Sequence, residues 1–64
     1  MFVNGDMVKI INVKAYDPWY SRLGKVVGER KGTVVLYLVL FDEIPKGEKW
    51  SVETFPEGCL EKVA

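Results

Sequence analysis

Histidine is absent from the 64-residue sequence, and cysteine occurs once, at Cys59. One cysteine cannot form an intrachain disulfide, and without histidine the common ligand sets of a structural zinc site cannot be assembled. Histidine is also the side chain most often used as a general acid or base near neutral pH. We therefore predict no enzymatic activity, no catalytic residue, no metal and no cofactor, and we expect Cys59 to be a buried structural thiol.

Charge of one sign is not in excess, because nine Lys and Arg residues balance nine Asp and Glu residues. Nonspecific binding of nucleic acid needs a surplus of Lys and Arg, so we expect no nucleic-acid partner. No apolar run approaches the roughly 18 residues of a membrane-spanning helix, and the first residues lack the pattern of a secretory signal. The expectation is a single soluble, cytoplasmic domain over residues 1–64.

Glycine, proline and aspartate interrupt the sequence at short intervals and leave β-branched and aromatic runs between them. This pattern predicts an all-β domain. The predicted strands cover residues 7–13, 23–29, 33–41, 50–54 and 60–63. A long loop is expected at 14–22 and a tight turn at 30–32 in which Gly32 adopts the left-handed conformation. A short 3₁₀-like turn over 55–58 is expected before the last strand.

The predicted third strand is apolar on both faces. We place Val35, Tyr37, Val39 and Phe41 in the core because this set carries the larger aromatic volume. The alternate residues then face outward; they are Leu36, Leu38 and Leu40. Two interpretations stay open for these leucines: a loop or chain end covers them, or they form the surface of a homodimer or of a partner contact.

Several motifs resemble those of small bacterial and plastid Src-homology-3-like barrels. They are Gly5-Asp6-Met7-Val8-Lys9-Ile10, Leu23-Gly24-Lys25-Val26-Val27 and Tyr37-Leu38-Val39-Leu40-Phe41-Asp42. The nearest such family is the photosystem I reaction-centre subunit IV, whose aromatic loop before the Gly-x-Val strand is similar to residues 15–22. The resemblance implies a five-stranded barrel with a short 3₁₀ turn before the last strand. It also implies a supporting role at a larger complex.

Two other families share single features with the chain. Residues 24–35 are similar to the Gly-x-Val strand and hairpin of the KOW module, which implies RNA or ribosome association as the alternative function. Residues 55–60 resemble the closing segment of eukaryotic Src-homology-3 domains. The Gly5-Asp6 strand, however, precedes the Ala15-Tyr16-Asp17 segment instead of following it, so we interpret this second likeness as convergent turn chemistry.

The long loop is rich in aromatic residues, which are enriched at binding hot spots. We predict a partner-binding surface formed by Tyr16, Trp19 and Tyr20, joined by Trp50 at the start of the predicted fourth strand, where the preceding loop ends. Trp19 follows Pro18 and is expected at the exposed tip. The alternative is that these rings cap the open end of the barrel. The sequence thus favours a non-catalytic interaction or accessory module that docks onto a protein partner of unknown identity.

Overall fold

The computed structural model describes residues 1–63 and consists of five β-strands and one short 3₁₀ turn. The strands are β1 (Met7–Ile10), β2 (Leu23–Lys31), β3 (Val35–Leu40), β4 (Val52–Pro56) and β5 (Leu60–Lys62). The 3₁₀ turn covers Glu57–Cys59 and leads directly into β5. The predicted all-β class, the five strands and the 3₁₀ turn before the last strand are therefore confirmed.

All five strands belong to one antiparallel sheet with the order β4-β3-β2-β1-β5. In a flat sheet its two edge strands would lie roughly 19 Å apart. The chain from Pro56 to Leu60, which joins these edges through the 3₁₀ turn, can span only about 14 Å. The sheet must therefore curl, and the curl creates a concave face.

The concave face holds the core, to which every strand contributes. The buried residues are Val8, Ile10, Trp19, Val26, Tyr37, Val39, Phe41, Phe55 and Leu60. In β3 and just after it, Tyr37, Val39 and Phe41 are buried as predicted. Val35 belongs to the same face but is exposed, because it pairs with Lys31 at the end of the β2–β3 hairpin where the chain turns.

Close packing across β2 depends on Gly24, which is buried opposite Val8 of β1. A Cβ atom at this position would lie 2.5 Å from Cγ1 of Val39 and 3.0 Å from Cε1 of Phe41. Past this point the pairing of β2 with β3 shifts by one residue between Val26 and Gly28. Such a bulge bends a strand and increases its twist, which helps the sheet curl.

Four local predictions are wrong. β2 continues to Lys31, which pairs with Val35, so the hairpin turn lies at 32–34 and not at 30–32. Within residues 1–63 the glycines with positive φ are Gly5 and Gly47, so Gly32 is not left-handed. β1 ends at Ile10 instead of residue 13, and Phe55 lies in β4 rather than in the turn.

The last two corrections have clear physical causes. Asn12 has a φ of 56°, in the left-handed region, and this breaks the extended conformation soon after Ile10. Phe55 pairs with Tyr37 of β3 and is buried in the core, so the strand must continue through it before the chain can turn.

Candidate functional site

The long loop over residues 11–22 is closed at its base by backbone hydrogen bonds to β1. The amide of Ser21 donates to the carbonyl of Ile10 at 2.9 Å, and the amide of Ile10 donates to the carbonyl of Arg22 at 3.0 Å. Asn12 and Ser21 have φ values of 56° and 66° and reverse the chain at the two ends of the loop. The loop therefore leaves and re-enters the sheet at one place.

Inside this loop, Asp17 organises a compact set of turns. Its carboxylate Oδ1 accepts the amide of Trp19 at 2.8 Å, and its carbonyl accepts the amide of Tyr20 at 3.0 Å. An aspartate that accepts the amide two residues ahead forms an Asx turn. Nε of Arg22 donates to the carbonyl of Pro18 at 2.8 Å and closes the next turn. The loop is thus an ordered structure.

Two hydrogen bonds join the 11–22 loop to the 3₁₀ turn at Glu57–Cys59. Nδ2 of Asn12 donates to the carbonyl of Gly58 at 2.7 Å, and the amide of Ile11 donates to the carbonyl of Cys59 at 2.8 Å. The Cys59 side chain packs against the core and is half-buried, where full burial was expected. Cys59 thus contacts both the core and the 11–22 loop.

Trp19 does not lie at an exposed tip, and that prediction is wrong. Only 5% of the residue is exposed, and its ring lies 4.4 Å from the ring of Phe41, centroid to centroid, at a tilt of 34°. Phe41 in turn makes an edge contact with Phe55 at 6.2 Å. The indole lies inward against the core, and the Asx turn at Asp17 holds the backbone of the same residue. Trp19 cannot offer its ring to a partner in this conformation.

The other three aromatic residues of the predicted surface are exposed. Tyr16 is 84% exposed, Trp50 is 72% exposed, and Tyr20 is also exposed. Within residues 1–63 the ring–ring contacts join other residues, so these three rings do not stack on one another. They form a surface of separate side chains instead of a single aromatic cluster.

Both aromatic loops lie at the same end of the sheet. Tyr20 follows Trp19, which stacks on Phe41, and Trp50 precedes Ser51, whose carbonyl accepts the Phe41 amide at 2.8 Å. A groove of about 270 Å³ separates the loops; it is lined by Arg22, Leu23, Phe41, Asp42 and Glu43. None of the four predicted aromatic residues, Tyr16, Trp19, Tyr20 and Trp50, lines this groove.

The two loops together carry no net charge. Four basic residues lie in them: Lys14, Arg22, Lys46 and Lys49. Four acidic residues lie in the same segments: Asp17, Asp42, Glu43 and Glu48. A neutral pair of loops offers no concentrated field to an anionic polymer.

A larger groove of about 930 Å³, which the sequence did not reveal, lies between residues 1–4 and the β2–β3 hairpin. Phe2 and Tyr37 make an edge contact here, with ring centroids 5.3 Å apart, and the Phe2 amide lies 3.4 Å from the Tyr37 hydroxyl. Val35 and Glu57 also line it. The only sequence signal was the apolar start of the chain, which no periodicity connected to β3.

The outward-facing leucines of β3 differ in exposure. Leu36 and Leu38 are half-buried, whereas Leu40 is exposed. Leu38 lies beside Gly28 and Thr54 on the neighbouring strands, and Leu36 beside Arg30 and Pro56. The predicted inside–outside register of β3 is confirmed, and the exposed part of its outer face is concentrated at the Leu40 end.

Metal-ligand clusters, buried charges and membrane-spanning helices also bear on function. In this part of the chain no three His, Cys, Asp or Glu side chains converge as metal ligands would, and no polar or charged residue is buried. The same residues contain no helix of the length and apolar character that crossing a membrane requires.

Comparisons of the chain with protein-family models, with curated proteins and with solved structures found no match. These comparisons therefore add no support to the resemblances to the photosystem subunit, to KOW modules and to Src-homology-3 domains.

Proposed function

We propose that this protein is a non-catalytic interaction module that docks onto a partner protein through the exposed aromatic surface of its two loops. This surface consists of Tyr16, Tyr20 and Trp50. The observation that carries the proposal is Trp50, a tryptophan that is 72% exposed in a chain of 64 residues. Large aromatic side chains supply much of the binding energy in protein interfaces, because they bury a large area with few rotatable bonds.

The order of the supporting loop favours this interpretation. The backbone around Tyr20 is held by Asp17 and Arg22, so little conformational entropy remains to be lost when a partner binds. The Trp19–Phe41 contact anchors the same segment to the core. For Tyr16 and Tyr20, a rigid base with exposed rings is the arrangement expected of a preorganised docking surface.

Charge favours a protein partner over RNA. Binding to a nucleic-acid backbone needs several Lys or Arg residues that are not neutralised by nearby acids. The four basic residues of the two loops are matched by four acidic residues. The KOW-like RNA-binding alternative therefore predicts an excess of positive charge that these loops do not carry.

The proposal includes a finer description of the fold, a small Src-homology-3-like barrel acting as an accessory subunit. The strand order, the long loop after β1 and the 3₁₀ turn before β5 support this description. A cytoplasmic location is part of the same proposal, since a single cysteine suits a reducing compartment.

The test is capture from a lysate of the native host with three immobilised proteins: the wild type, Trp50→Ala and Val34→Ala. Val34 is an exposed apolar residue of the β2–β3 hairpin turn and serves as the matched control. We expect one protein to be retained by the wild type and by Val34→Ala but lost with Trp50→Ala.

The retained protein is then purified and titrated against each variant. Trp50→Ala should weaken its binding about 30-fold, equivalent to about 2 kcal/mol, which is typical of a hot spot. Affinities within twofold of wild type for both Trp50→Ala and Tyr16→Ala would reject the docking surface. Salt-sensitive retention of RNA in place of a protein would favour the KOW-like function.

A further inference from the structure

The convex face of the sheet carries a second exposed surface, on the side opposite the core. One row of paired residues crosses four strands of this face: Met7, Lys25, Leu40 and Val52. Leu23, two residues before Lys25 on β2, faces the same side and is 56% exposed, and Leu40 is 39% exposed. Apolar side chains from β1, β2 and β3 are thus presented together to solvent.

A concavity of about 280 Å³ lies on this outer face, at the Leu40 end of β3. Its lining is Met7, Leu23, Gly24, Lys25, Leu40 and Asp42. Two of these six residues are charged, and the charges are opposite. Among residues 1–63, ion pairs are formed by other side chains, so both Lys25 and Asp42 have their charge available to an outside group.

We propose that this outer face binds a second copy of the chain about a two-fold axis that passes through the concavity between Lys25 and Asp42. A two-fold axis requires a self-complementary surface, in which each residue type finds its complement on the same patch. Lys25 of one copy then faces Asp42 of the other, twice, around a centre formed by Met7, Leu23 and Leu40.

Charge distinguishes this occupant from others. A partner with charge of one sign would leave either Lys25 or Asp42 opposed by a like charge or desolvated without a partner, which is unfavourable. A second copy neutralises both. The chain has nine basic and nine acidic residues, so long-range repulsion between copies does not oppose the association.

The size of the face sets the expected strength. One side of a body that measures 28 × 24 × 20 Å offers roughly 500–700 Å², less than the about 800 Å² that each partner buries in a standard interface. We therefore expect a weak dimer, at the low end of the size range of specific interfaces. It rests on different residues from the docking surface, so either proposal can fail without the other.

The first experiment is sedimentation equilibrium of the purified protein from 10 μM to 1 mM. The test variants are Leu23→Lys and Leu40→Lys, and the control is Val34→Lys at the far end of the hairpin. Circular dichroism confirms that each variant is folded, and Leu23→Lys stays informative if Leu40→Lys is not. We expect each test variant to raise the dissociation constant at least tenfold, while Val34→Lys and Trp50→Ala stay within twofold of wild type.

The second experiment tests the axis itself by charge exchange. Lys25→Asp and Asp42→Lys should each raise the dissociation constant at least tenfold, because each places like charges opposite one another across the interface. The double variant should return to within threefold of wild type. Any one of three results would overturn the proposal. The wild type is monomeric at 1 mM, or the dimer is insensitive to Leu23→Lys and Leu40→Lys, or the double variant dimerises as weakly as the single variants.

Discussion

The two loops at one end of the sheet each contain one tryptophan, which is buried in one loop and exposed in the other. In the 11–22 loop, Trp19 is buried against Phe41, whereas Trp50 in the 41–51 loop is largely exposed. Residue type does not explain the difference, because both residues are tryptophans and each loop also contains one proline, Pro18 or Pro45.

The difference lies in the hydrogen bonds that shape each backbone. The 11–22 loop has consecutive turns centred on Asp17, with a further bond from Arg22 to Pro18. In the 41–51 loop the bonds among described residues are the Phe41–Ser51 closure and one turn from Glu48 to Pro45. A loop with many internal bonds can hold a large ring in the core, while the more open loop leaves its ring in solvent.

The strongest test of this contrast is to truncate each ring in turn. Trp19→Ala should lower the free energy of unfolding by about 3–5 kcal/mol, because it removes a buried aromatic side chain and leaves a cavity beside Phe41. Trp50→Ala should change it by less than about 0.5 kcal/mol. Urea unfolding followed by circular dichroism measures both. Equal effects, or a larger loss for Trp50→Ala, would show that the two environments are assigned the wrong way round.

The next test changes the packing around Phe41, which contacts both loops. Phe41 contacts the Trp19 ring, and its amide bonds to Ser51, so both loops depend on its position. Gly24→Ala would place a Cβ atom 3.0 Å from Phe41 and 2.5 Å from Val39. We expect a loss of roughly 1–3 kcal/mol from this overpacking.

Thermal unfolding measures the effect, with Gly58→Ala as the control because no atom lies within 4 Å of a Cβ built there. A Gly24→Ala protein as stable as Gly58→Ala would mean that β2 and β3 can move apart without loss.

A smaller loss of stability is expected when the Asx turn between Asp17 and Trp19 is removed. Asp17→Ala removes the acceptor for the Trp19 amide and should lower stability by about 1 kcal/mol. Asp17→Asn keeps an acceptor oxygen and should recover most of the loss. Glu48→Ala in the 41–51 loop is the matched acidic control and should be nearly neutral. If Asp17→Ala behaves like Glu48→Ala, the turn does not hold Trp19.

The sequence was sufficient for the features that depend on alternation. Tyr37, Val39 and Phe41 share one face of a strand, and a two-residue period assigns them to the core without knowledge of the rest of the chain. The 3₁₀ turn before β5 was predicted from Pro56, which precedes it, and Gly58, which lies within it. These properties are local, so a single sequence contains them.

Alternation could not predict whether each aromatic ring of the two loops is buried or exposed. Trp19 is buried because a carboxylate two residues earlier bonds to its amide, and because Phe41, 22 positions later in the sequence, supplies the surface on which it packs. Pro18 suggested a loop tip, but it gave no information about which way the following side chain points. The groove at Phe2 was missed for the same reason, since its far wall is Tyr37.

The least disruptive test uses fluorescence to compare the environments of Trp19 and Trp50. Its variants should have almost the same stability as the wild type. Trp50→Phe leaves Trp19 as the only indole and retains an aromatic ring at an exposed position, so the unfolding midpoint should stay nearly constant. Its emission should be blue-shifted and poorly quenched by acrylamide, because only 5% of Trp19 is exposed. The reciprocal Trp19→Phe protein should emit at longer wavelength and be quenched almost as readily as free tryptophan, because Trp50 is 72% exposed. A shielded Trp50 in the monomer would remove the exposed ring on which the docking proposal depends, and a readily quenched Trp19 would return it to the candidate surface.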